Sequence, residues 1–301
     1  MSKAAFIAGD WGTSRLRLYL CDGAGHVLAR GEGEGASVPD CAARFAAAVA
    51  PWDRAHGPLP AILGGMVGST IGWKEVPYLT CPARPRAIAG AALRFEQDNR
   101  AIAIVPGLKC TAPTGAPDVM RGEEVQILGA LRLNPALAKG THIFCMPGTH
   151  AKWVEVDNGA VTRFQTALSG ELFDLLNKHS VLVRDGGAVD GGSKAFALGM
   201  AFARQEADLL HLLFSARSRV VGDTMPKADA PSYLSGLILG KDVGTALSLF
   251  DIKGTVHLIC TPALAALYAS ALASYDLKSA VIDGDQAALA GLVHIHAEIF
   301  S

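Results

Sequence analysis

Apolar and polar positions near the start of the chain follow a pattern that returns once, near the middle. AAFIAGD (4–10) is almost continuously apolar, as a strand covered on both faces should be. RLRLYL (15–20) alternates with period two, which puts Leu16, Leu18 and Leu20 on one face and Arg15, Arg17 and Tyr19 on the other. DGAG (22–25) reverses the chain into HVLARG (26–31), completing a three-strand meander. The second occurrence reads THIFCM as an apolar strand, PGTH as a turn, AKWVEV as an alternating strand, DNG as a hairpin turn and AVTRFQ as a third strand. Gly12 and Gly148, Thr13 and Thr149, and Gly23 and Gly159 share one offset of 136 residues (148 − 12 and 159 − 23), so an internal duplication is expected.

Helical patterns follow each meander. CAARFAAAVAPW (41–52) predicts a helix up to Pro51. SGELFDLLNKHSVL (169–182) predicts one with Ser169 as N-cap and Leu172, Leu175 and Leu176 on one face. Residues 191–217 read as long helical material broken near Gly199, and 232–250 as a further helix. TVHLIC (255–260) and SAVID (279–283) read as late strands, each leading into an alanine-rich helix. The proline- and glycine-rich segment PGLKCTAPTGAPD (106–118) is the expected boundary, dividing the chain into lobes 1–115 and 116–301. Strands with returning helices in both halves make an α/β protein of two similar lobes, with a ligand cleft expected between them.

Composition narrows the partners. Half of the 301 residues are hydrophobic and 18% are charged, which suits a globular chain. A formal charge of −1 gives no drive toward nucleic acid or an anionic membrane, so a small-molecule partner is expected. Six cysteines without a CxxC pair suggest neither a zinc site nor a disulfide framework. No secretory signal pattern opens the chain, and a cytoplasmic location is expected. LICTPALAALYASALA (258–273) carries Pro262 and is shorter than the ~20 apolar residues of a membrane span, so it reads as a strand end plus a helix.

The candidate chemistry lies at the turns. In GDWGTS (9–14), Gly12, Thr13 and Ser14 offer successive backbone N–H groups of the kind that bind phosphate oxygens. Gly148 and Thr149 repeat that turn, so one turn per lobe is expected to grip a polyphosphate. Asp10 alone would make an Asx turn; beside a phosphate site, one aspartate suffices to hold magnesium through its waters. In MRGEEVQILGAL (120–131), Glu123 and Glu124 open a predicted helix, where carboxylates complement the dipole. Phosphoryl transfer to an alcohol also needs one carboxylate as base; Glu123 is favoured, Glu124 is the alternative, and Arg121 stands beside them. For Glu171, compensation of a helix N-terminus is the simpler account, and His294 and His296 read as structural.

These stretches resemble a known family. GDWGTSRLRLYL resembles the first phosphate motif of the sugar kinase, actin and heat-shock ATPase superfamily. RGEEVQILGAL and MPGTHAKW resemble its catalytic-carboxylate helix and second phosphate turn, and HLICTPALAALYASAL its adenosine segment. Within it, the chain resembles the 2-dehydro-3-deoxygalactonokinases over almost its whole length. The further stretches that carry this resemblance are GGMVGSTIGWKEVPYLTCPA, LSGELFDLLNKHSVL, SYLSGLILG and GDQAALAGL. It implies two ribonuclease-H-like (actin-like ATPase) lobes and phosphorylation of 2-dehydro-3-deoxy-D-galactonate at its 6-hydroxyl, using ATP and Mg2+, ahead of an aldolase.

Carried over by position, Asp10 would hold magnesium, and Gly12, Thr13, Ser14, Gly148 and Thr149 would cradle phosphate. Thr261, Gly284 and Asp285 would lie on the adenosine side. For the sugar acid, the candidates are Ser69, Trp73 and Lys74 in the GGMVGSTIGWK loop, with Arg121 for a carboxylate or phosphate and His150 as a donor. Trp73 reads equally as a core aromatic, and Lys74 as a solvated side chain. A homodimer is left open. The competing readings are an exopolyphosphatase-like phosphohydrolase of the same superfamily and a non-catalytic nucleotide-binding regulator.

Overall fold

The structure, a computed structural model, describes residues 3–183 and 186–300. The chain forms two compact units, Met1–Thr141 with Val156–Arg163 and Gly284–Ser301, and His142–Glu155 with Phe164–Asp283.

The first unit opens with the expected meander, β1 (Ala4–Trp11), β2 (Arg15–Asp22) and β3 (Val27–Glu34). It continues through α1 (Cys41–His56), β4 (Ala61–Gly65), β5 (Leu79–Thr80), α2 (Pro85–Gly90), β6 (Leu93–Gln97) and β7 (Arg100–Ile104). Its main sheet has the order β3-β2-β1-β4-β7-β6, with β4 parallel to β1 and β7 parallel to β4. The alternation in β2 works as predicted, since Leu16, Leu18 and Leu20 are all buried in a core with Ile7, Trp11 and Phe45. On the opposite face Arg15 is exposed, whereas Tyr19 is buried as well.

Helix α1 passes through Pro51 and ends at His56, beyond the expected stop. Its last turns are anchored, because Trp52 packs against the core and Asp53 pairs with the buried Arg100. Those contacts outweigh the ~3 kcal/mol that an interior proline costs. The segment 106–118 is not a linker. It forms the hairpin β8 (Leu108–Thr111) and β9 (Pro117–Met120), turning at Gly115 (φ 86°), and β8 pairs with β5 in a three-stranded sheet. The unit therefore runs past 115 and includes α3 (Glu123–Leu133) and the C-terminal α10 (Gly284–Phe300), which differs from the expected division into 1–115 and 116–301. Helices α3 and α10 cross at glycines: a Cβ on Gly129 would lie 1.7 Å from the Ala287 carbonyl oxygen, and one on Gly291 1.9 Å from that of Val125. On α10, His296 stacks on Phe6 at 3.7 Å, and burial pushes its pKa down to about 4, a structural role as expected.

The second meander is β10 (Thr141–Met146), β11 (Ala151–Asp157) and β12 (Ala160–Ala167). With β13 (Thr255–Cys260) and β14 (Lys278–Asp283) it gives the order β12-β11-β10-β13-β14. In both sheets a meander gains parallel strands at the edge of its first strand, so the duplication read from the spacing is one of topology.

The helices of the second unit are α4 (Ser169–His179), α5 (Lys194–Ala203), α6 (Leu209–Leu213), α7 (Ser215–Val221), α8 (Ala230–Leu249) and α9 (Pro262–Ala273). Gly199 does not break α5; it lets α5 meet α8, since a Cβ there would lie 2.2 Å from the Tyr233 carbonyl oxygen. The break falls after Ala203. Ser169 is the first residue of α4 rather than its cap, and its hydroxyl donates to Asp242. Leu172 and Leu176 pack inward as an i, i+4 pair, while Leu175 is exposed, because adjacent helical residues project ~100° apart. The cysteines are free, and all but the half-buried Cys81 are buried. No described helix is long and apolar enough to cross a membrane.

Candidate active site

In the first unit, β1 delivers Asp10 to its C-terminal end, where the β1–β2 register places it opposite Arg17. Arg17 Nη1 donates to Asp10 Oδ2 at 3.1 Å, and Arg17 Nη2 lies 3.3 Å from Asp285 Oδ1. Burial raises the Asp10 pKa above the usual carboxylate range against the pull of Arg17, and the charges of Asp285 and Glu123 push it further up. Two carboxylates, Asp10 and Asp285, thus share one guanidinium.

The following turn is held from behind. Gly12 N–H donates to the Arg15 carbonyl, the Gly12 carbonyl accepts from Ala36 N–H, and the Thr13 carbonyl accepts from Ser37 N–H and Oγ. A Cβ at Gly35 would lie 2.1 Å from the Thr13 carbonyl oxygen, so only glycine allows this approach. Thr13 and Ser14 are exposed at the tip. Of the three amides expected to face a phosphate, that of Gly12 is committed within the turn.

Gly122, held at φ 111°, is the N-cap of helix α3, and the two glutamates that follow have different surroundings. Glu123 Oε2 accepts from Arg121 N–H at 3.1 Å, and Glu124 Oε2 accepts from Gly122 N–H at 2.8 Å. Glu123 is half-buried. Glu124 is fully enclosed, its Oε1 has no partner, and burial, aided by the charge of Glu123, pushes its pKa up to about 8. Arg121 Nη2 donates to the Val76 carbonyl at 2.7 Å, and the guanidinium lies 4.3 Å over the Tyr78 ring. Its Nε and Nη1 are enclosed without partners, and Nη1 runs close to Gly68.

The loop before Val76 divides its candidates. Ser69 is buried and donates to the Met66 carbonyl at 2.7 Å. Trp73 sits among Trp11, Phe45 and Phe95, with ring centroids 5.5–6.5 Å away, so it is a core aromatic. Lys74 is exposed, its ammonium 4.8 Å over Phe95.

In the second unit, Gly148 and Thr149 form the turn after β10, backed by the start of α4. Glu171 N–H donates to the Thr149 carbonyl at 2.9 Å, and a Cβ at Gly170 would lie 2.2 Å from the Gly148 carbonyl oxygen. His150 Nε2 and Glu171 Oε2 are 2.5 Å apart, both exposed. Beside the turn opens an apolar pocket of about 500 Å³, its open mouth included, lined among others by Gly148, Gly170, Phe173, Leu264, Leu267 and Tyr268. No motif announced it, although Leu264, Leu267 and Tyr268 share the i, i+3, i+4 spacing of one helix face. Thr261 is exposed at the N-cap of α9 and is not among the residues lining it. Gly284 and Asp285 do not line it either. They belong to the first unit, where the Gly284 carbonyl accepts from Gln126 Nε2 at 3.3 Å and Asp285 meets Arg17.

Two sheets of this order, with an acidic residue and a turn closing the first strand, define the actin-like ATPase fold of the sugar kinases. The sequence profile of the 2-keto-3-deoxy-galactonokinase family matches residues 10–295, and the chain belongs to that family. It is 38% identical over 305 residues to a probable 2-dehydro-3-deoxygalactonokinase of Rhizobium meliloti, covering 97% of each chain. It is 34% identical to the 2-dehydro-3-deoxygalactonokinase of Escherichia coli, covering 96% of each. A crystal structure from Sinorhizobium meliloti, provisionally named for the same activity, superposes with a TM-score of 0.91 at 36% identity, covering 98% of this chain and 99% of the other.

Proposed function

We propose that the protein transfers the γ-phosphoryl group of ATP to the 6-hydroxyl of 2-dehydro-3-deoxy-D-galactonate. One observation carries this reading: family membership coincides with two carboxylates, Asp10 and Glu123, that come from different elements, the charge of Glu123 helping to raise the pKa of Asp10. Phosphoryl transfer to an alcohol needs one carboxylate for the cation and another for the proton.

Asp10 fits magnesium. It is a hard oxygen donor, half-buried, with the charges of Asp285 and Glu123 acting on it beside its Arg17 partner, and a cation there would offset that repulsion. No cluster of three or more metal-ligating side chains occurs among the described residues. That suits magnesium, which keeps its waters and takes its other oxygens from phosphate. Bound there, the cation would neutralise charge on the β- and γ-phosphate oxygens.

Glu123 is assigned as the base. It accepts the proton of the 6-hydroxyl as that oxygen bonds to the γ-phosphorus and the bond from phosphorus to the leaving ADP oxygen breaks. Glu124, which retains its proton at neutral pH, is unsuited to that role. Arg121, with two unpartnered guanidinium nitrogens, is assigned to the sugar-acid carboxylate, which requires the 66–78 loop to shift. Ser69 and Lys74 already have partners, Met66 and Phe95.

The apolar pocket of the second unit is assigned to the nucleoside, and the Gly148–Thr149 turn to its phosphates. The cytosol is the compartment proposed. Neither a phosphohydrolase nor a regulator is favoured by a family match that spans nearly the whole chain.

Incubation with ATP, Mg2+ and a panel of hexonate derivatives tests the proposal. ADP should form only when a keto-deoxy acid is present, and phosphate release without any acid would replace the kinase by a hydrolase.

A further inference from the structure

Asp242 lies within α8, in the interior of the second unit, and the chemistry assigned above does not use it. Its carboxylate is buried, yet it receives three donors from three other elements. Oδ1 accepts from Trp153 Nε1 at 2.8 Å, and Oδ2 accepts from Ser169 Oγ at 2.6 Å and Tyr268 Oη at 2.9 Å. Burial raises its pKa while the three hydrogen bonds oppose that rise.

Enclosing a carboxylate is costly, and a well-packed apolar side chain would serve stability as well or better. The placement of its partners suggests what the carboxylate does. Ser169 and Tyr268 both line the apolar pocket, on α4 and α9 respectively. The residue after Ser169 is Gly170, whose backbone rests on the Gly148 carbonyl. Trp153 belongs to β11, the strand that leaves the turn containing Gly148. Helix α8 is itself locked against α5, where a Cβ on Gly236 would lie 2.1 Å from the Phe196 carbonyl oxygen. One rigidly mounted carboxylate therefore holds two walls of the pocket and the backing of the phosphate turn.

We infer that Asp242 is a positioning residue for the nucleotide: through Ser169 it sets the seat of the Gly148–Thr149 turn, and through Tyr268 it sets the depth of the nucleoside pocket. The inference rests on the assignment of that pocket to the nucleoside. It commits to a specific kinetic signature, because a purely structural carboxylate would affect both substrates alike.

The test compares Asp242→Asn, Ser169→Ala, Tyr268→Phe and Leu264→Trp with the parent protein, reading KM for ATP, KM for the sugar acid, kcat and the melting temperature. Asp242→Asn leaves a buried donor imperfectly matched and should raise KM for ATP about tenfold. KM for the acid should stay within about twofold. Ser169→Ala and Tyr268→Phe each remove a single hydroxyl, and they carry the same test if Asp242→Asn does not fold. A lower melting temperature with both KM values unchanged, or with both raised together, overturns the inference. Leu264→Trp separates the two layers of the argument. If it blocks ATP while the Asp242, Ser169 and Tyr268 variants leave KM for ATP unchanged, the inference alone falls. If it leaves ATP binding untouched, the pocket assignment falls and takes the inference with it.

Discussion

Asp10 and Arg17 are register partners across β1 and β2, joined by a 3.1 Å ion pair, yet burial still holds the Asp10 carboxyl above its usual pKa. An ionised group whose folded pKa is raised costs the fold stability at neutral pH. Asp10→Asn removes that cost and keeps an acceptor for Arg17. The variant should melt at or above the parent temperature while losing about 10² or more in kcat. Calorimetry and a coupled ADP assay on one preparation check both halves, and an active Asp10→Asn enzyme would remove Asp10 from the site.

The two glutamates of α3 should separate by function. Glu123→Gln loses the proton acceptor and should lower kcat by ~10² or more while nucleotide still binds. Glu124→Gln keeps the acceptor for Gly122 N–H and should retain most of the turnover. Steady-state kinetics with an ADP-binding titration distinguishes them, and the reverse pattern would move the base to Glu124.

Glu124 should instead appear in the pH dependence of stability. Folded, its carboxyl keeps its proton to about pH 8, against a reference value of 4.5. Its contribution is therefore fully present below the unfolded pKa and is lost as pH rises through about 8. The slope from this one group is at most ~1.4 kcal/mol per pH unit. Urea titrations between these limits should show the parent losing stability relative to Glu124→Gln as pH rises. Parallel curves would mean that Glu124 is ionised in the fold.

The α3–α10 crossing predicts opposite outcomes for one substitution at two glycines. Alanine gains ~1 kcal/mol of helix propensity over glycine wherever there is room. At Gly90, in α2, nothing lies within 4 Å of the new Cβ, so Gly90→Ala should be neutral or stabilising. At Gly129 the Cβ would overlap the backbone of Ala287, and overpacking should cost about 1–3 kcal/mol or more. Denaturant midpoints for the pair check this, and equal effects would contradict the close crossing.

The meanders, the late strands and the glutamate pair were legible because each rests on local pattern: period-two alternation, a glycine turn, carboxylates at a helix start. Features that depend on distant partners were not. Gly199 looked like a helix break but permits a close crossing with α8, and PGLKCTAPTGAPD looked like a linker but pairs with a two-residue strand around Leu79. Ser169 looked like a cap, yet its hydroxyl serves Asp242, 73 positions away. Asp285 was placed with the nucleoside from its position near the last strand, whereas Arg17 holds it beside Asp10. The apolar pocket had no motif because its walls come from several segments, each of which reads as ordinary core.

Analysis of the reaction product tests the central claim most directly. After incubation with ATP, Mg2+ and 2-dehydro-3-deoxy-D-galactonate, phosphorus NMR should show one phosphate ester, coupled to the protons on C6 of the acid, for each ADP formed. Inorganic phosphate accompanied by unmodified acid would contradict the account.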